Sequence, residues 1–207
     1  MPRATWRSAA VELAARDANL AAVVDQVGPP TTRARDPNGP FGALLRAIVF
    51  QQLAGKAAAA IHGRVLALVN GPLTPKVILK LSEEQLRGAG LSNNKYLAVR
   101  DLATKVLDGT VELDRLGRLK DERLIEQLVS VRGIGPWTAE MFLMFELQRP
   151  DVWPVDDFGV RAGWKRLHHL AEAPKPKELL LLGEPLRPYR SAAAWYCWRA
   201  VETVLPD

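Results

Sequence analysis

The chain has 207 residues, 48% of them apolar and 25% charged, enough for one sizeable core or two small lobes. A mean hydropathy of −0.06 and apolar runs of only a few residues, such as those at 57–61 and 179–182, exclude a membrane-spanning segment. A single cysteine, Cys197, excludes an internal disulfide, a thiolate zinc site and a cysteine-held iron–sulfur cluster, while 28 basic against 23 acidic side chains give a net charge of +5 that suits a polyanionic partner.

Strand signals are absent, since no stretch alternates apolar and polar residues with β-branched enrichment, and Ala, Leu, Arg and Glu recur at helical spacing. The first helix is expected over 5–27. Its stretch interleaves Arg3, Arg7, Glu12, Arg16 and Asp17 among alanines, so it lacks the apolar centre of a secretory signal, and a reducing, cytoplasmic compartment is expected. Asn38-Gly39-Pro40 then breaks and restarts the chain. Phe41, Leu44, Leu45, Ile48, Val49 and Leu53 follow at i, i+3, i+4, i+7 spacing and predict one long buried helix. Further helices are expected at 57–69, 75–80, 83–88, 93–107, 113–116, 121–130, 136–147, 157–169, 177–182 and 189–203, with Gly or Pro in most of the gaps. Neither a repeat nor a long polar linker interrupts the pattern. The expected fold is therefore all-α and two-lobed, with a central lobe at about 36–145 and a second built from 1–35 plus 146–207.

The most informative segment runs from Leu124 to Phe145. An apolar helix stops at Gly133-Ile134-Gly135, and a second begins with Pro136 in its first turn, so 121–147 reads as a helix–hairpin–helix. Two close glycines let another chain approach the backbone, and the N–H groups opening the second helix are unpaired and positively polarised, as a DNA phosphate requires. The same glycines would also serve a plain αα-corner. A second stretch, Asp151 to Val160, leads an aromatic and proline loop into paired carboxylates at a helix start. Either aspartate suits an N-cap, and chemistry at one of them needs support from elsewhere in the chain. His62, His168 and His169 lack metal-site spacing, and the last two, near a helix end, are expected to contact carbonyls or solvent. Arg187 and Arg190 suit phosphate or the carboxylates of a neighbouring lobe equally.

The stretch Val131 to Val160, VRGIGPWTAEMFLMFELQRPDVWPVDDFGV, resembles the helix–hairpin–helix, Gly/Pro-rich, aspartate (HhH-GPD) superfamily of DNA base-excision glycosylases, most closely its DNA-3-methyladenine glycosylase II branch. Pro40-Phe41 through Gln51-Gln52-Leu53, Gly90-Leu91-Ser92 with Lys95, and Arg187-Pro188-Tyr189-Arg190 with Trp198 extend the likeness over roughly 17–203. The resemblance implies that Asp157 is the catalytic carboxylate and Asp156 a helix cap. It further implies that Leu53, with Gln52, is the wedge that fills the space left by an extruded nucleotide, though a core leucine on the 41–53 stripe fits the same position. Trp137, Met141 and Trp198 would line the base pocket, and Gly133, Gly135, Thr138 and Lys95 would contact DNA phosphates. For either tryptophan, burial in the core is the competing reading. Main-chain carbonyls of Val129, Val131 and Ile134 would hold a structural sodium or potassium ion.

Departures from the family narrow the chemistry. Position 137, where bifunctional members carry a Schiff-base lysine, is Trp, which implies a monofunctional enzyme. The cluster-bearing branches need four cysteines spaced C-x6-C-x2-C-x5-C, so no iron–sulfur cluster is expected. At 207 residues, the β-rich N-terminal subdomain of longer bacterial relatives is not expected. Met141 stands where some relatives have an aromatic residue, and Leu186 where a Trp often precedes Arg-Pro. The expected partner is double-stranded DNA with alkylated bases such as 3-methyladenine or 7-methylguanine, bound by a monomer without membrane contact, on the nucleoid of a bacterium or in the nucleus of a eukaryote. Two other readings remain open: a non-enzymatic DNA-binding protein that uses the hairpin as a clamp, and a glycosylase of this fold for oxidised or deaminated bases.

Overall fold

The computed structural model describes residues 6–32 and 34–202. All regular structure among the described residues is helical. The α-helices run α1 Trp6–Arg16, α2 Ala18–Val27, α3 Gly39–Phe50, α4 Gly55–Ala67, α5 Pro75–Lys80, α6 Glu83–Gly88 and α7 Asn93–Leu107. They continue as α8 Asp121–Val129, α9 Pro136–Met141, α10 Phe158–Leu167, α11 Pro176–Leu182 and α12 Arg190–Glu202. Short 3₁₀ turns lie at Leu113–Arg115 and Glu184–Leu186, and a π-helical turn, Phe142–Glu146, prolongs α9. Residues 5 and 203, the outer ends expected for the first and last helices, lie outside the described residues. None of the helices is long and apolar enough to cross a membrane.

The chain divides into two compact units, one from the described parts of Met1–Arg33 and Leu143–Asp207, the other from Ala34–Phe142. In the first, α10 and α12 pack unusually closely. A Cβ on Gly163 of α10 would lie 2.0 Å from the carbonyl oxygen of Cys197. Glycine at 163 and the small residues Ala193, Ala194, Cys197 and Ala200, all buried, let the two helix backbones meet. Around this crossing lie Leu13, Leu20, Val23, Val160, Trp164 and Tyr196, each fully or almost fully buried, and each such side chain contributes about 1.5–3 kcal/mol of apolar transfer.

The expected first helix is in fact two. Asp17 ends α1 and caps α2, its Oδ1 accepting from the main-chain N–H of Asn19 (2.8 Å) and Leu20 (3.1 Å), while Oδ2 meets His168 Nε2 at 2.8 Å. Burial opposes the charge on this carboxyl, but the bonds from His168, Leu20 and Asn19 outweigh it and hold the pKa below the usual carboxylate range. His168 Nδ1 also lies 3.1 Å from the carbonyl oxygen of Trp164, the kind of contact expected for it, and its ring stacks on that indole.

In the second unit, Leu44, Leu45, Ile48 and Val49 of α3 are completely buried, as their spacing requires, with Ile78, Leu86, Leu102, Leu124 and Leu128. The expected long helix nevertheless stops at Phe50. Gln51 turns extended, Gln52 adopts φ +56°, and Leu53 leaves the helix with 40% of its surface exposed. The reading of Leu53 as a core leucine is thereby corrected, because the helical stripe ends one turn before it.

Candidate active site and nucleic-acid contacts

In the first unit, Asp157 heads α10. It is Asp157 and not Asp156 that caps this helix: its Oδ1 accepts from the N–H of Val160 at 2.7 Å, while Asp156 lies exposed in the preceding turn. The assignment of the cap to Asp156 is corrected by one residue, because Pro154 and the turn at 155–156 delay the first helical residue to Phe158. The same Oδ1 accepts from Trp198 Nε1 at 2.8 Å. Both of these bonds converge on one oxygen at the positive end of a helix, an environment that favours a negative charge.

Trp198 reaches Asp157 through a gap left by a glycine. A Cβ on Gly159 would come within 2.7 Å of the indole Cδ1 and 3.0 Å of its Nε1. The indole is further held by Phe145, whose ring stacks on it with centroids 5.9 Å apart, and Phe145 in turn meets Trp6 at 6.4 Å. Trp198 is thus half-buried and hydrogen-bonded rather than sealed in the core. Gly159 and Phe145 were not singled out from the sequence. A glycine in the first turn of a helix, two residues after an acid, is the signal that could have found the first. Phe158, next to Asp157, is 81% exposed, a solvent-facing aromatic that no helical spacing marks.

Arg187 and Arg190 turn inward on their own unit. Arg190 grips Asp151 with Nε on Oδ1 (2.7 Å) and a second nitrogen on Oδ2 (3.0 Å), and Arg187 reaches Asp151 Oδ2 at 2.6 Å and Glu184 Oε2 at 2.9 Å. Of the two roles left open for these arginines, carboxylate pairing is the observed one, and the carboxylates belong to the same unit rather than to a neighbouring lobe. Cys197 is completely buried in the helix crossing, and burial drives its thiol pKa upward, away from reactivity.

In the second unit, α8 and α9 flank the turn 130–135. Gly133 has φ +78°, which favours glycine outright, and a Cβ there would touch Ala98 at 3.4 Å. Gly135 differs. It is the N-cap of α9 with φ −94°, and a Cβ would meet nothing within 4 Å, so the protein's own packing does not demand glycine. The turn is pinned from α7: Asp101 Oδ2 accepts from Arg132 N (2.7 Å) and Lys105 Nζ (3.0 Å), and Lys105 also donates to the carbonyl of Ser130. Trp137, 51% exposed at the start of α9, is not a core residue; Thr138 and Met141 are half-buried on the same helix. Val131 and Ile134 are buried and Val129 exposed. The neutral carbonyl oxygens of these three residues suit a monovalent cation. That of Val131 already accepts the Ile134 N–H at 3.0 Å, leaving its second lone pair. No group of three or more His, Cys, Asp or Glu among the described residues is placed to hold a metal ion.

Lys95 has a role within the protein that its spacing does not announce. Its ammonium donates to the carbonyls of Val49 (2.7 Å) and Gln51 (2.8 Å), capping the C-terminus of α3. Burial lowers its pKa below the ordinary lysine value.

Known proteins sharpen these observations. Residues 45–188 match the family described as HhH-GPD superfamily base excision DNA repair protein. The chain is 36% identical over 195 residues to DNA-3-methyladenine glycosylase 1 of Schizosaccharomyces pombe, covering 92% of this chain and 86% of that protein. Its structure is similar to that of a 3-methyladenine DNA glycosylase from the same yeast in complex with abasic DNA (TM-score 0.81, 35% identity, 97% of this chain and 99% of that one). It is similar also to a DNA-3-methyladenine glycosidase from Bacillus halodurans (TM-score 0.86, 37% identity, 98% and 94%).

Proposed function

The chain belongs to the HhH-GPD superfamily of base excision DNA repair proteins, and from that membership we propose that it is a monofunctional DNA-3-methyladenine glycosylase acting on alkylated purines in double-stranded DNA. The observation that carries the reading is Asp157. A carboxylate fixed by two N–H donors at a helix head, in a chain matched over nearly its whole length by alkylbase glycosylases, has a use in base excision that a simple clamp lacks.

Cleaving the N-glycosidic bond moves its electron pair onto the departing base and leaves positive charge on the deoxyribose. Asp157 stabilises that charge more in the transition state than in the ground state. Water then adds to the anomeric carbon and gives up its proton to the carboxylate or to solvent, and an abasic site remains. Alkylation at N3 or N7 already makes the purine cationic, so its departure needs no general acid. An indole face such as that of Trp198, hydrogen-bonded beside Asp157, favours a cationic base by about 0.5–2 kcal/mol per contact.

Leu53, exposed on its turn, fills the space of the extruded nucleotide, with Gln52 beside it. Gly133, Gly135 and Thr138 engage phosphate through the backbone and a hydroxyl, and the free space at Gly135 supports that role. A sodium or potassium ion on the carbonyls of Val129, Val131 and Ile134 would neutralise part of the phosphate charge. The protein acts as a monomer.

Incubation with duplexes that each hold one lesion, followed by alkali, tests the proposal. Strand breaks at 3-methyladenine or 7-methylguanine only after alkali, with no borohydride-trapped adduct, are expected. Robust trapping would defeat the monofunctional assignment, and binding without any abasic product would restore the non-enzymatic clamp.

A further inference from the structure

We propose that Lys95 and Gln51 form a bracket that positions the turn carrying Leu53, a role that rests on the reading of Leu53 as the wedge. The turn needs a holder. Gln52 is a non-glycine residue at φ +56°, in the left-handed region, and such a residue persists only where its surroundings over-determine it. Packing does not supply this. Leu53 is 40% exposed, and with Ile61, Gly90, Ser92 and Lys95 it borders an open cavity of about 200 Å³ rather than a filled core. The direction in which Leu53 points is therefore set by its backbone.

Polar ties fix that backbone from two sides. Lys95 stands in the first turn of α7, which Ser92 caps by accepting the Lys95 N–H on its Oγ at 3.3 Å. From there its ammonium reaches the carbonyls of Val49 and Gln51 at 2.7 and 2.8 Å, at the negative end of α3. Gln51 completes the bracket by donating Nε2–H to the carbonyl of Gly133 at 2.8 Å, so the wedge turn is fastened to the hairpin turn of the same unit. An apolar side chain would line the cavity without the cost of partly desolvating an ammonium. What the ammonium adds is the orientation of two carbonyls. Two of its three protons are thereby engaged within the protein.

The experiment compares single-turnover excision of 7-methylguanine paired in a duplex with excision of the same lesion opposite an abasic site, where no base pair has to be broken and extrusion costs less. Leu53→Ala lowers the paired rate about tenfold and spares the other. Lys95→Met shows the same selectivity, and the double variant is no slower than Leu53→Ala within about twofold, because both act through one group. Lys95→Arg restores most of the paired rate. Should Lys95→Met fail to fold in a thermal melt, Gln51→Ala, which leaves the lysine in place, carries the same expectation. Equal losses on both substrates, additivity with Leu53→Ala, or a shallower salt dependence of binding, as loss of a phosphate contact would give, overturns the bracket alone. An unchanged paired rate for Leu53→Ala overturns the wedge and the bracket together.

Discussion

The two units hold their candidate groups by different means. In the first, Asp157 and Trp198 stand on helices α10 and α12, whose backbones touch at Gly163, and the register of that crossing delivers an indole N–H to a carboxylate 41 positions away. In the second, Leu53, Gly133 and Gly135 stand on turns, and side chains from α7 together with Gln51 tie those turns through carbonyls and main-chain N–H groups. A group that must stabilise a charge at one fixed point gains from the stiffness of packed helices. Groups that meet a DNA backbone gain from exposed main chain, which only turns present.

Asp157→Asn gives the largest expected effect and tests the first half of this contrast. Asn keeps an oxygen at the position of Oδ1, so both described bonds survive and the melting temperature should hardly move. Removing the charge should cost at least ~3 kcal/mol, or ~100-fold in single-turnover rate. Asp156→Asn, in the exposed turn, should retain activity. A variant at 157 that excises at near the wild-type rate would break the assignment. Gly163→Ala should lose about 2–3 kcal/mol of stability in urea unfolding, since its Cβ would collide with backbone rather than with a movable side chain. If it proves neutral, the helix crossing is not the rigid frame described above.

Trp198→Phe and Gly159→Ala sharpen the comparison. The first deletes the indole N–H and the second drives the ring away, and each should slow excision by about tenfold with little change in melting temperature, the worth of one hydrogen bond to a charged group. The smallest effect separates the two hairpin glycines. Gly133→Ala should cost about 1 kcal/mol of stability because of its positive φ. Gly135→Ala should leave stability unchanged yet weaken DNA binding severalfold, measured by fluorescence anisotropy across a salt series. Equal behaviour of the pair would remove the case for backbone contact at Gly135.

Much of this was legible from local pattern. Helical spacing marked the buried face of α3 through Leu44, Leu45, Ile48 and Val49, and the Gly-x-Gly-Pro punctuation located the turn between α8 and α9. Three positions depart from that pattern. Leu53 continued the spacing but not the helix, because the chain turns at Gln52, a residue without the Gly or Pro that normally announces a left-handed turn. The cap fell on Asp157 and not Asp156 because two adjacent carboxylates give the same local signal, and only the first hydrogen-bonded turn chooses between them. Asp17 split the first helix although nothing there resembles a breaker; its bonds to Asn19, Leu20 and the distant His168 stabilise the interruption.

The sequence by itself determined the helical class, the hairpin and a pair of carboxylates at the start of α10, since each follows from periodicity and chemistry within a few neighbouring residues. Only the tertiary structure decided that Lys95 serves α3 and that Trp198 donates to Asp157 through the space beside Gly159. It likewise decided that Arg187 and Arg190 pair with Asp151. Those partners lie 36 to 46 positions apart along the chain. Hydrogen bonds have a reach of about 3 Å, so such pairings exist only once helix packing has fixed both backbones.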